Sequence, residues 1–133
     1  MGLVRTRIQL TNPKRPDLAP VDVEALVDTG AVHLCLLERV ALQLDLDEQE
    51  KRTVPVANGA TQIVPYVGPV KAAFGNRSCF TGVMILGNEV LLGAIPMEDM
   101  DLVVRPLTQD IGPNPSSPNI PASVAMGVRP SRD

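Results

Sequence analysis

Aromatic residues are almost missing from this chain: two phenylalanines, one tyrosine and no tryptophan make up 2% of 133 residues. A core must then be assembled from valine, leucine, isoleucine, methionine and alanine, which favours short strands. Hydrophobic residues still account for 44% of the chain, enough for one core, and the length is too short for two ordinary domains. Histidine occurs once, at His33, and cysteine twice, at Cys35 and Cys79, without ligand spacing. That is too little for a zinc or iron site, so no metal or cofactor is expected and both cysteines read as buried thiols. An excess of basic charge is also lacking: 12 basic against 15 acidic residues leave a net charge of -3, with no electrostatic footprint for nucleic acid. There is no apolar run of about 18 residues to span a membrane. The start, MGLVRTRIQL, lacks the apolar centre and small-residue cleavage site of a signal peptide. Met1-Gly2 opens a loose acylation pattern, but the same stretch reads more naturally as the start of a strand. The expectation is a soluble cytoplasmic protein with no nucleic-acid or membrane partner.

What is present is strand periodicity. Val4, Thr6, Ile8 and Leu10 alternate with Arg5, Arg7 and Gln9, and after the break TNPKRPDLAP the alternation returns from Val21 to Val27. Residues 4 to 28 therefore form an expected long-looped hairpin whose second strand delivers Asp28. Leu36, Leu37, Val40, Ala41 and Leu44 recur at helical spacing and predict a short helix, followed by a solvated acidic loop, DLDEQEKR, at 45–52. In TVPVANGATQIVPYV, two β-type runs flank Asn58-Gly59, which suits the positive φ angles of a type I′ turn. Pro55 and Pro65 cannot donate to a ladder, so this hairpin should project from the sheet. Val70–Phe74 and Cys79–Leu86 suggest another hairpin around Gly75-Asn76, and Pro96 suits the first turn of a short helix before a last strand from Leu102. From Gly112 on, five of the thirteen prolines gather with serines and asparagines. The expected division is a domain over residues 1–107 and a Pro/Ser-rich tail over 108–133. The tail is either disordered, or adds a strand from Ile120 to Val128 at a dimer interface, or occupies the cleft as a self-cleaved propeptide. An apolar run ending in glycine occurs at ALVDTG and again at VLLG, a weak echo between the two halves.

Asp28 is the candidate site residue. A lone carboxylate at the end of an apolar strand is costly to desolvate unless something pairs with it. A turn-capping aspartate would also account for Asp28-Thr29-Gly30. A phosphotransfer aspartate fits poorly, because Gly30 stands where a second aspartate is wanted and the chain is strand-rich. His33, unneeded by a two-carboxylate site, is expected on a surface or loop.

The apolar strand into Asp28-Thr29-Gly30-Ala31, the hairpin around Asn58-Gly59 and the later Leu91-Leu92-Gly93 before a short helix, in that order, resemble the retropepsin-like aspartic proteases, including their small bacterial members. The likeness spans residues 4 to 107. It implies an all-β fold: a closed acid-protease β-barrel with one or two short helices, one lobe per chain, the site completed by homodimerisation. It implies an aspartic endopeptidase in which two copies of Asp28 activate a water between them and hydrolyse an extended apolar peptide or protein segment. Thr29 would brace the two loops across the dimer axis, and the Gly30 N–H would reach a carboxylate. Ala31, Val32 and Leu92 would line the substrate site. The hairpin over residues 53–67 would form the flap that closes over it, with Val56, Ala57, Asn58, Gly59 and Ala60 contacting substrate, and Leu91, Leu92 and Gly93 would pack around the active loop. Val32 stands where retroviral members usually carry an aspartate, one flap glycine stands where several are usual, and Ala94 follows Gly93 where arginine or asparagine is common. The alternative function on the same fold is a non-catalytic peptide-binding or scaffolding module.

Overall fold

The structure, a computed structural model, describes residues 3–123. Met1 and Gly2 of the acylation pattern, and residues 124–128 of the strand expected at 120–128, lie outside the described residues.

Alternation along the first two segments produces strands β1 (Arg5–Thr11) and β2 (Val21–Val27), paired antiparallel with Ile8 opposite Val23 and Thr6 opposite Ala25. Ile8, Leu10, Val23 and Ala25 turn inward while Arg5, Arg7, Gln9, Asp22 and Glu24 face solvent. Next come β3 (Leu34–Leu36), helix α1 (Glu38–Gln43), β4 (Asp47–Pro55), β5 (Thr61–Phe74), β6 (Arg77–Ile85), β7 (Val90–Leu92), α2 (Ala94–Asp99), β8 (Leu102–Arg105) and β9 (Asp110–Pro113). Hydrogen bonding runs β1-β2-β7-β3-β6-β5-β4, and β1 also pairs β5, so six strands close a barrel from which β4 extends as a seventh. The all-β barrel with two short helices expected from the resemblance is the architecture observed.

The echo between halves has a structural counterpart. A hairpin, a three-residue strand and a six-residue helix occur twice in succession, as β1-β2-β3-α1 and β5-β6-β7-α2. Their pairings interchange: β2 lies parallel to β7, β6 lies parallel to β3, and β1–β5 and β3–β7 are antiparallel pairs of equivalents. The parallel β2–β7 pairing puts the chain segments that leave those two strands side by side.

Aliphatic packing fills the barrel, as the scarcity of aromatics requires. Leu10, Ala25, Leu34, Leu36, Val70, Ala72, Val83 and Leu92 are wholly buried, and Met100 of the α2–β8 junction joins them. Phe80, by contrast, is 64% exposed. Burying apolar surface at roughly 25 cal/mol per Å² makes these side chains the main stabilising term. Asn12, buried, donates from Nδ2 to the carbonyls of Leu44 (2.9 Å) and Asp45 (3.2 Å), satisfying the end of α1.

Four local expectations are corrected. The acidic stretch expected as a loop at 45–52 is, from Asp47 on, part of β4, whose exposed pattern reflects an edge strand in solvent on both faces. The Asn58-Gly59 turn is not type I′, since Gly59 (φ 85°) has positive φ but Asn58 does not. Instead Gly59 N–H donates to Val56 O and Val56 N–H to Ala60 O, a three-residue loop closed by a glycine bulge. Leu36 belongs to β3 and not to the helix. A strand beyond the one begun at Leu102 exists: β9 pairs with β8 and buries Ile111. The β4–β5 hairpin does project. Pro55 ends edge strand β4, and Pro65 precedes the first β6-paired residue, Tyr66.

Candidate active site

Strand β2 ends at Val27, and the next residue, Asp28, leaves the barrel at the mouth of a cleft of about 800 Å³. Backbone hydrogen bonds fix the loop. Asp28 N–H donates to Leu92 O (3.0 Å), Ala31 N–H to Asp28 O (3.0 Å), Ala94 N–H to Ala31 O (2.8 Å) and Ile95 N–H to Val32 O (2.8 Å). The β7–α2 junction thus holds the loop along its length, and this is where Leu91-Leu92-Gly93 packs. Gly93 has an ordinary φ of -86°, and its requirement is for space. A Cβ there would stand 2.3 Å from the His33 carbonyl oxygen and 2.8 Å from that of Ala31.

The Asp28 side chain is half-buried, and its Oδ1 accepts the Gly30 N–H at 3.0 Å. A charge-assisted bond of this kind orients the carboxylate. Thr29 and Gly30 are exposed. Around Asp28 the cleft is lined by Gly30, Ala31, Val32 and His33 from the loop, by Cys35, Met84, Leu86 and Leu91 from the barrel, and by Thr53, Val54, Pro55 and Ala57 from the projecting hairpin. The wall is mainly apolar, which suits aliphatic side chains.

The structure therefore brings together Asp28, Gly30, Ala31, Val32 and Ala57 of the residues singled out in the sequence. Thr29, Val56, Asn58, Gly59 and Ala60 lie outside the cleft lining, the last four at the hairpin tip. Leu92 is fully buried in the core, and it is the neighbouring Leu91 that lines the cleft, as strand alternation dictates. His33, expected on a surface or loop, lies in the loop that leads from Asp28 into β3 and is half-buried in the cleft wall. Its ring meets Tyr66 at a steep angle, centroids 5.9 Å apart. Burial, and then the positive charge of Arg52, hold its pKa below the ordinary value. Burial, and then the nearby Asp28 carboxylate, push the Cys35 thiol up. Cys35 reaches the site through the pairings of β3 with β6 and β7, distant in the chain, whereas His33 reaches it from the loop that begins at Asp28.

Among the described residues no three His, Cys, Asp or Glu side chains gather into a metal-binding group, and no helix is long and apolar enough to cross a membrane. A second hollow, of about 520 Å³, lies apart from Asp28 between α2, Asp101, Leu102, Ala122 and Ser123.

Fold and site together define a class: a small β-barrel that presents one carboxylate to an apolar cleft beneath a projecting hairpin. The family model described as aspartyl protease matches residues 18–120, and the chain belongs to that family. Its chemistry is accordingly protease-type hydrolysis. Among solved structures the chain is similar to the crystal structure of a retropepsin-like aspartic protease from Rickettsia conorii, with 21% identity, 70% of this chain and 80% of that chain covered, and a TM-score of 0.42. A comparison with curated proteins finds no match.

Proposed function

We propose that the chain is an aspartic endopeptidase active as a homodimer, in which two Asp28 carboxylates activate one water to hydrolyse a peptide bond in an extended apolar segment. The observation that carries this reading is a single Asp28-Thr29-Gly30 loop at the mouth of an apolar cleft. Peptide hydrolysis of this type needs one group to take a proton from water and another to give one to the leaving amine. One carboxylate cannot do both at once. Two held close together can, because they do not both ionise and so share a proton, and a twofold axis through the loop supplies the second copy.

In this assembly Thr29, exposed in the single chain, braces the paired loops across the axis. Gly30 fixes the carboxylate through its N–H, and Ala31, Val32 and Ala57 contact the substrate. The β4–β5 hairpin acts as the flap, with Val56, Asn58, Gly59 and Ala60 at its closing tip. Substrate binds as an added strand, so that alternate side chains enter pockets walled by Val54, Met84, Leu86 and Leu91. Two free buried thiols, Cys35 and Cys79, support a reducing, cytoplasmic setting.

The test combines light scattering after size exclusion with a peptide-library digest at several pH values, using Asp28→Asn as control. A dimer that cleaves between apolar residues, with cleavage lost and mass and fold kept in the variant, supports the reading. A chain that binds extended peptides without cutting them, and does so equally well as the variant, would make it a peptide-binding module.

A further inference from the structure

The one histidine of the chain occupies a junction between the two parts of the cleft. His33 follows the Asp28 loop directly, and its backbone carbonyl lies against Gly93. Its ring meets Tyr66 of β5 at 5.9 Å between centroids and an interplanar angle of 68°. The Arg52 guanidinium of β4 lies 4.3 Å from the centroid of the same Tyr66 ring, and Glu50 holds it there at 3.1 Å. Tyr66 in turn rests over Gly82 of β6, where a Cβ would stand 2.1 Å from its hydroxyl oxygen. The stack sits at the root of the projecting hairpin, since Tyr66 is the first β5 residue paired to β6, and beyond it the arm is held by β4–β5 pairing. Edge-on aromatic contact and a cation over a ring each contribute favourably when partly desolvated.

We propose that His33 is a positioning residue: through the ring of Tyr66, and Arg52 stacked on it, the neutral imidazole sets how the hairpin root sits over the Asp28 loop, and protonation releases that hold. The imidazole meets Tyr66 and, through that ring, Arg52 with Glu50 behind it, from the hairpin; Asp28 and Cys35 are the other titratable groups lining the same cleft. A cation placed at His33 is partly desolvated and is repelled by Arg52, so acid favours conformers in which the ring reaches water. That escape requires the root to open. The inference deepens the endopeptidase reading and rests on it for its consequence, which is that acidification weakens substrate capture by the hairpin.

The chain holds one histidine, so proton NMR of the 133-residue chain reads His33 alone. Its titration midpoint is expected below the ordinary 6.5, and Arg52→Gln should move it upward. Amide exchange of residues 53–65, corrected for intrinsic rates, should be several-fold faster at pH about 5 than at about 7.5 in the native chain. His33→Phe keeps a ring without a proton and should be protected at both pH values; His33→Ala should exchange fast at both. With a cleaved peptide, His33→Ala should raise KM several-fold and leave kcat within about twofold. A His33 midpoint at its ordinary value, pH-independent exchange of the arm, or unchanged protection in His33→Ala overturns the proposal. A chain without peptidase activity leaves the titration and exchange results standing, so failure of the protease reading and failure of this one are told apart.

Discussion

The backbone N–H of Asp28 donates to the carbonyl of Leu92 at 3.0 Å, so the last residue of β7 supports the first residue of the carboxylate loop. β2 and β7 run parallel here, with Val27 opposite Leu92, and the carboxylate leaves the barrel at the end of that ladder. A rigid strand end aims the carboxylate.

Adjacent leucines should separate stability from specificity. Leu92 is fully buried, and Leu92→Ala is expected to cost about 2–5 kcal/mol, since the cavity it leaves closes only partly. Leu91 lines the cleft, so Leu91→Ala should cost less and change which side chains the enzyme accepts. Urea denaturation at fixed chain concentration measures the first effect, and a peptide-library digest the second.

Two glycine substitutions should fail for different reasons. Gly93→Ala places a methyl 2.3 Å from the backbone oxygen of His33, which cannot move without shifting the Asp28 loop, and overpacking of this kind costs about 1–3 kcal/mol. A methyl at Gly59 would meet nothing within 4 Å, but the residue sits at φ 85°, so Gly59→Ala should cost only the left-handed strain, roughly 1–2 kcal/mol. Thermal denaturation gives both values. Activity lost out of proportion to stability is expected for Gly93→Ala, because its displacement is delivered to the carboxylate loop.

How much of this could be read from the chain alone depends on the range of the interaction. The Asp28 loop was legible because an alternating strand, a carboxylate and a glycine are adjacent in sequence. The barrel followed from hairpins whose turns are local and from the family resemblance. The run from Asp47 to Arg52 misled because an edge strand wet on both faces shows no alternation. β3 was hidden because Leu34, Cys35 and Leu36 are all buried, lying between β6 and β7, and a three-residue apolar run has no period. Cys35, Met84 and Leu86 reach the cleft through those same pairings, which no local pattern encodes.

The two thiols should react differently. Burial, and then the charge of Asp99, push Cys79 up to about 11, so it is protonated at neutral pH and shielded. Cys35 lines the cleft, although burial and Asp28 raise its pKa as well. Slow alkylation of Cys35 in the native chain is expected, with Cys79 modified only after denaturation, both read by mass spectrometry. A peptide inhibitor seated in the cleft should slow the first reaction and leave the second unchanged.

Asp101 should produce an acid transition distinct from that of His33. Its carboxylate accepts the Asn114 Nδ2 (3.1 Å), the Ala122 N–H (2.9 Å) and the Ser117 hydroxyl, while the buried Arg77 donates to the Ser117 carbonyl. Ser117 first, then Ala122 and Asn114, hold the Asp101 carboxyl below its ordinary 3.8. A depressed carboxylate contributes stability that is present above the unfolded value and lost as pH falls through the folded one. The segment from Asn114 to Ala122 should therefore stay latched through mildly acid pH, where the His33 contact has already loosened, and release only below about 3.8. Asp101→Asn removes the charge and replaces one accepting oxygen by a donor, so Ala122 should exchange its amide proton faster at neutral pH, without the acid-dependent step. Exchange followed across the pH range in both chains checks the order of the two transitions. Simultaneous loss of the hairpin root and the 114–122 segment in the native chain would show that one acid-sensitive group governs both.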